Sequence, residues 1–193
     1  VMVIAGFLSV GAKADEPGTK NGEWHQYTGD VKGSRYSPLD QITADNYEDL
    51  ELVWSFSTKN LGTRSEYKLE VTPIMIDGVL YATAGTRRAA IALDGETGEL
   101  MWVHSMREGL RGGMAPRQLS GRGLSYWSDG KGDDRVLYVT TGYRLIALNA
   151  HTGVPINSFG IDGNGILDLK IGAVQGNEVQ IDLVTGEIGL HAT

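Results

Sequence analysis

From residue 50 onward the chain is organised in short runs in which apolar and polar positions alternate. No apolar stripe at three-and-four spacing is sustained over three helical turns. The runs 53–57, 71–76, 79–84, 89–93, 100–105, 136–141 and 145–148 are rich in Val, Ile, Tyr and Thr and are bounded by Asp-Gly, Gly-Glu and Thr-Gly pairs. That pattern predicts β-strands separated by tight turns. Asp77-Gly78 stands between two of these runs and predicts a two-residue hairpin of type I′.

Two of the runs are copies of one another. Val79-Leu80-Tyr81-Ala82-Thr83-Ala84-Gly85-Thr86-Arg87 is echoed by Val136-Leu137-Tyr138-Val139-Thr140-Thr141-Gly142-Tyr143-Arg144. Each copy continues into Ala-Leu-Asp/Asn-x-x-Thr-Gly, ending at Gly98 and Gly153, and a weaker third copy ends at Gly186. The three Thr-Gly pairs lie 55 and 33 residues apart, which brackets the roughly 40–50 residues of a propeller blade. A lone hairpin of this kind leaves an apolar face uncovered, so the repeat predicts sheets stacked against one another around an axis. The Asp or Asn of each copy is placed to bond the backbone ahead of it, and the Gly to take a positive φ. Trp102 is expected to pack between neighbouring blades; the second copy has Asn157 at that position, which predicts weaker docking there.

Composition agrees with a turn-rich, all-β chain. Its 27 glycines in 193 residues are about twice the usual share. With 17 basic against 24 acidic side chains, a net charge of −7, no basic footprint for nucleic acid survives at the level of the whole chain. Residues 1–10 are almost wholly apolar, too short a run for a membrane-spanning helix, and Ala12-Lys13-Ala14 follows. This reads as the apolar core and cleavage site of a secretory signal peptide, residues 1–14, lacking its basic start. Periplasmic localisation, with association at the inner membrane left open, is the corresponding expectation. The chain has no cysteine, which excludes a disulfide framework and an N-terminal lipid anchor on cysteine.

The motif Ala92-Leu93-Asp94-Gly95-Glu96-Thr97-Gly98-Glu99-Leu100-Met101-Trp102 resembles the tryptophan-docking motif of pyrroloquinoline quinone (PQQ)-dependent dehydrogenases. Its lead-in does so independently. Trp24-His25-Gln26-Tyr27, Gly33-Ser34-Arg35-Tyr36-Ser37-Pro38-Leu39, Gln41-Ile42-Thr43 and Leu52-Val53-Trp54 look most like the membrane glucose dehydrogenase branch. The resemblance implies a partial β-propeller, the first two to three blades of an eight-bladed ring filling residues 15–193. It also implies a function, the oxidation of a sugar, polyol or alcohol. Electrons would pass from PQQ to a quinone or cytochrome acceptor, and Ca²⁺ would polarise the quinone carbonyl.

Three residues carry over as cofactor contacts. Glu70, in Glu70-Val71-Thr72-Pro73, matches the family's cofactor glutamate. Arg122, in Ser120-Gly121-Arg122-Gly123-Leu124, matches the arginine facing the cofactor. His191 takes the Glu70 position in the following blade. The resemblance places the Ca²⁺ ligands and the general base beyond residue 193, so residues 1–193 alone are expected to be inactive. Pro116 and Arg117 stand where many alcohol-oxidising members carry a vicinal disulfide, which aligns the chain with the disulfide-free members.

From the residues alone, Arg107 and Arg111 read as a solvated loop face. The run Asp129-Gly130-Lys131-Gly132-Asp133-Asp134 lacks the alternate carboxylates of a Ca²⁺ loop and reads as a hairpin turn. His25, His104, His151 and His191 show no metal-ligand spacing. The competing reading is a non-catalytic propeller of the outer-membrane-protein assembly type, binding protein partners. The absent lipidation cysteine and the Trp24-to-Leu39 lead-in speak against it.

Overall fold

The computed structural model describes residues 18–64, 66–119, 123–174 and 181–188. Eight strands form two four-stranded antiparallel meanders. The first sheet contains β1 (Ile74–Ile76), β2 (Val79–Ala84), β3 (Ala89–Asp94) and β4 (Leu100–His104), paired in that order. The second contains β5 (Ser125–Ser128), β6 (Asp134–Val139), β7 (Arg144–Asn149) and β8 (Ile166–Asp168), again in chain order. Two short helices, α1 (Gly109–Gly113) and α2 (Leu169–Val174), follow β4 and β8.

The repeat seen in the sequence is the repeat of the sheets. Val79–Ala84 is β2 to the residue, whereas in its copy, read as 136–141, β6 (Asp134–Val139) ends at Val139 and Thr140 and Thr141 pass into the turn. Asp77 and Gly78, with φ of 49° and 77°, make the expected two-residue turn, so Ile76 faces Val79. The strand reading at 71–76 shrinks to Ile74–Ile76, because Pro73 offers no N–H to a ladder. The run Asp129–Asp133 is the β5–β6 hairpin loop, as its composition implied. Residues 53–57 are a correction. They are extended, with Trp54 and Phe56 turned inward, yet no strand pairs with them among the described residues. Alternation specifies which side chains are covered; a ladder also needs a neighbouring backbone.

Burial follows the pleat. Along β3, Ala90 and Ala92 face one core while Ile91 and Leu93 face another. The first core lies between the sheets, where Ile74, Ile76, Tyr81 and Trp102 meet Val136, Tyr138, Ile146 and Leu148. The second lies on the far side of the first sheet and is covered by Trp54, Phe56 and Leu61. Neither sheet could bury these faces alone, which is the physical content of a propeller.

Tryptophan docking joins the layers twice in the same way. Trp102 Nε1 donates to Ala150 O at 2.8 Å, and a Cβ on Gly153 would lie 2.7 Å from the Trp102 ring. Trp54 Nε1 donates to Gly95 O at 3.2 Å, and a Cβ on Gly98 would lie 2.5 Å from the Trp54 ring. Asn157 is exposed and makes no such dock. All three Asx turns form: Asp94 Oδ1, Asn149 Oδ1 and Asp182 Oδ1 accept from the N–H groups of Thr97, Thr152 and Thr185 at 2.7, 3.0 and 2.6 Å. The third copy nonetheless differs from its expected place. It joins no strands among the described residues, and Leu183 and Val184 lie against Lys170 of α2. The motif encodes a local turn, and the flanking strands decide whether that turn belongs to a blade.

Candidate functional site

Antiparallel order sorts the connections by end. The chain entering β1, the β2–β3 turn, the long passage from β4 to β5, the β6–β7 turn and the exit of β8 all lie at one end of the sheets. The Asx turns of Asp94 and Asn149 lie at the other. Glu70 belongs to the first end, as do Arg88, Arg107, Arg111, Arg117 and Arg144. A chain with a net charge of −7 therefore gathers arginines at this one end.

Glu70 is exposed on the segment that enters β1, with Lys68 Nζ 3.3 Å from its carboxylate. Arg122 and His191 lie outside the described residues. Gly123, which follows Arg122 in the sequence, has a φ of 116°, and a Cβ there would sit 3.4 Å from Thr72 O. Thr72, on the segment that enters β1, and Gly123, just before β5, thus lie side by side.

Beneath this rim is a layer of ionised groups. Glu108, almost fully buried, accepts from Thr140 Oγ1 at 2.9 Å, Thr141 Oγ1 at 3.0 Å, Gly142 N at 2.7 Å and Arg144 at 2.5 Å. A charge this buried persists because every lone pair is used. The first sheet has the same device in simpler form, with Glu66 accepting from Gly85 N at 2.9 Å. Arg111 is a further correction. It is buried rather than solvated, grips Asp168 through two bonds of 2.6 and 2.7 Å, and donates from Nε to Gly142 O at 2.6 Å. Burial opposes ionisation of Asp168, but the Arg111 guanidinium outweighs it and holds the carboxyl below the usual range. Arg107 is exposed, as expected of a loop face, and so is Arg117.

Lys170 is buried, donates to Leu183 O and Val184 O at 3.2 and 3.3 Å, and lies 5.3 Å from the Tyr143 ring centre. Burial, reinforced by Arg111, pushes its ammonium pKa down. Between the sheets His104 Nδ1 stands 2.8 Å from Tyr138 Oη, and burial lowers the imidazole pKa. Sequence reasoning missed Arg88, Glu108, Arg144 and Asp168. The one legible signal was the doubled Arg87-Arg88, where the second copy has a single arginine.

Among the described residues, no three His, Asp or Glu side chains converge as metal ligands. Nor is any helix among them long and apolar enough to cross a membrane. The arrangement suits an anionic, planar ligand instead, with guanidinium groups and the exposed, Lys68-paired Glu70 carboxylate at the rim.

The family model described as the β-propeller domain of glucose/ethanol/alcohol dehydrogenase, with PQQ, matches residues 24–186. The quinoprotein glucose dehydrogenase of Gluconobacter oxydans is 30% identical over 174 residues, covering 82% of this chain and 21% of its own length. The 1-butanol dehydrogenase (cytochrome c) of Thauera butanivorans is 38% identical, covering 68% of this chain and 18% of itself. The crystal structure of the quinohemoprotein alcohol dehydrogenase from Comamonas testosteroni superposes with a TM-score of 0.58 at 30% identity, over 72% of this chain and 19% of that one. The chain spans about a fifth of the length of these relatives.

Proposed function

The chain belongs to the PQQ β-propeller family of glucose and alcohol dehydrogenases, and from that premise we propose that it builds part of the cofactor end of a periplasmic quinoprotein dehydrogenase. The reaction is oxidation of a sugar, polyol or alcohol hydroxyl, with electrons passed to a quinone or cytochrome acceptor. Bound PQQ supplies the quinone that takes two electrons from the hydroxyl-bearing carbon.

The observation that carries this reading is the gathering of arginines and Glu70 at one end of an acidic chain. PQQ is planar and has three carboxylates and a pyrrole N–H, so it calls for fixed guanidinium donors and a carboxylate acceptor. Glu70 offers the acceptor on the open rim, and Arg122 the bidentate donor on the adjacent segment. His191 adds a polar contact from the following blade. The buried Glu108–Arg144 and Arg111–Asp168 pairs hold the turns beneath that rim in one arrangement. Ca²⁺, which the family resemblance implies, finds no ligand set among the described residues.

The test is dye-linked oxidation by the purified full-length gene product, not by residues 1–193 alone, with PQQ and Ca²⁺ supplied, against glucose, polyols and primary alcohols. PQQ-dependent turnover of one substrate class is the expected result. A folded protein that stays inert with every substrate and instead captures unfolded outer-membrane proteins would overturn the reading in favour of a partner-binding propeller.

A further inference from the structure

The arginines at the rim end are of two kinds. Arg144 is engaged with Glu108 and Asp168, and Arg111 with Asp168 and Gly142 O. Arg88 gives its donors to backbone carbonyls: Nε to Leu119 O at 3.2 Å, NH2 to Arg117 O at 2.9 Å, and NH1 to Val139 O and Thr140 O at 3.3 Å each. These three side chains hold the fold together. The guanidinium groups of Arg87, Arg107 and Arg117, by contrast, make no hydrogen bond, ion pair or ring contact among the described residues.

Of those three, Arg87 is half-buried, and Arg107 lies on a stretch, 105–107, that shows no backbone hydrogen bond among the described residues. Arg117 differs from both. Its own carbonyl and that of Leu119 are gripped by Arg88, and the side chain of Gln118 between them donates to Gly113 O. Ala115, on the incoming side, is buried. Residues 117–119 are therefore anchored one after another, while the Arg117 side chain stands in solvent. A cation fixed at its root and open at its tip suits an anionic ligand, because the backbone is ordered before binding.

The chemistry of the quinone asks for such a group. PQQ has three carboxylates, and each one that leaves water needs a charge-assisted partner. The sequence motif offers one arginine, and Glu70, itself anionic, cannot serve a carboxylate. A second anchored guanidinium at the same end meets the need.

We propose that Arg117 is a further cofactor-binding residue, its guanidinium pairing with a PQQ carboxylate at the rim. This rests on the cofactor reading above and does not depend on Arg122. The test is PQQ titration of the full-length gene product stripped of its cofactor, as wild type, Arg117→Gln, Arg117→Lys and Arg107→Gln. Arg117→Gln should raise the PQQ dissociation constant about tenfold, the loss of roughly one charge-assisted hydrogen bond. Arg117→Lys should raise it less, since the ammonium keeps the charge and loses the planar fork. Arg107→Gln should leave it unchanged.

Two further readouts separate contact from a structural role. Raising salt from about 0.05 to about 0.5 M should narrow the gap between wild type and Arg117→Gln, because an exposed ion pair is screened. Thermal unfolding of the stripped proteins should coincide, because the guanidinium has no partner in the fold. Wild type that binds PQQ beside an equally tight Arg117→Gln overturns this inference alone. So do equal losses in Arg117→Gln and Arg107→Gln, which would reflect the general field of the rim, and so does a salt-independent loss joined to a lower unfolding midpoint. Wild type that binds no PQQ overturns the cofactor reading and this inference with it.

Discussion

Asp168 and His104 carry the clearest consequences for pH, and they act in different windows. Asp168 has a depressed pKa because Arg111 favours its ionised form. Its contribution to stability is complete above the unfolded carboxylate value of about 4 and is lost as pH falls through its lower folded value. His104 is held neutral by burial. The unfolded chain takes up that proton first, so stability falls as pH drops below the unfolded value of about 6.5. Denaturant midpoints between pH 8 and 3 should show both slopes. His104→Gln should flatten the upper slope. Asp168→Asn should flatten the lower one and cost about 3 kcal/mol at pH 7, since Arg111 is left buried without its partner. A midpoint independent of pH between 6.5 and 5 in the wild type would contradict the account of His104.

The same residues explain what could not be read in advance. Arg111 and Asp168 are 57 residues apart, Glu108 and Gly142 are 34 apart, and neither pair leaves a periodic mark in the sequence. Local spacing made Arg111 look like one more loop cation; only the return of β8 beside β7 brings Asp168 to it. Glu70 could be singled out in advance because it belongs to a contiguous motif, and the chain places it on the segment that enters β1.

At the scale of elements, turn chemistry was the reliable signal. Asp77-Gly78 determined a hairpin, and Asp94 and Asn149 determined Asx turns that connect neighbouring strands. Residues 53–57 and the Asp182 turn misled for one reason: each has the local chemistry of its element without the partner strands. The tryptophan docks predict an unequal pair of substitutions. Gly78 and Gly153 share a positive φ, 77° and 69°, but a Cβ on Gly78 meets nothing within 4 Å, whereas on Gly153 it would strike the Trp102 ring. Gly78→Ala should cost about 1 kcal/mol, the price of the left-handed conformation. Gly153→Ala should cost about 2 kcal/mol more, because the indole must move and its bond to Ala150 O suffers. Equal losses in thermal unfolding would mean that the dock is not where the sheets are joined.

Across the whole molecule, the internal repeat made the stacked sheets legible, since two copies of one strand pair demand two copies of one sheet. Their outer surfaces are less complete. Leu100, Met101 and Val103 of β4 stay largely open, and Leu137, Val139 and Leu145 on the far face of the second sheet are only half-buried. Apolar edges and faces of this kind seek cover. The 193-residue polypeptide expressed by itself should therefore self-associate, eluting earlier from a sizing column as its concentration rises. A monodisperse monomer at every concentration would show that these faces need no cover.

The central claim is that the arginine-rich end of these sheets serves a bound quinone. Its most direct measurement is the cofactor content of the purified full-length gene product, produced with PQQ available, then denatured and its released small molecules quantified by mass spectrometry. The account predicts close to one PQQ per polypeptide, falling sharply in Arg122→Ala. Purified, folded protein that releases no PQQ, or releases the same amount whether or not Arg122 is present, would contradict it.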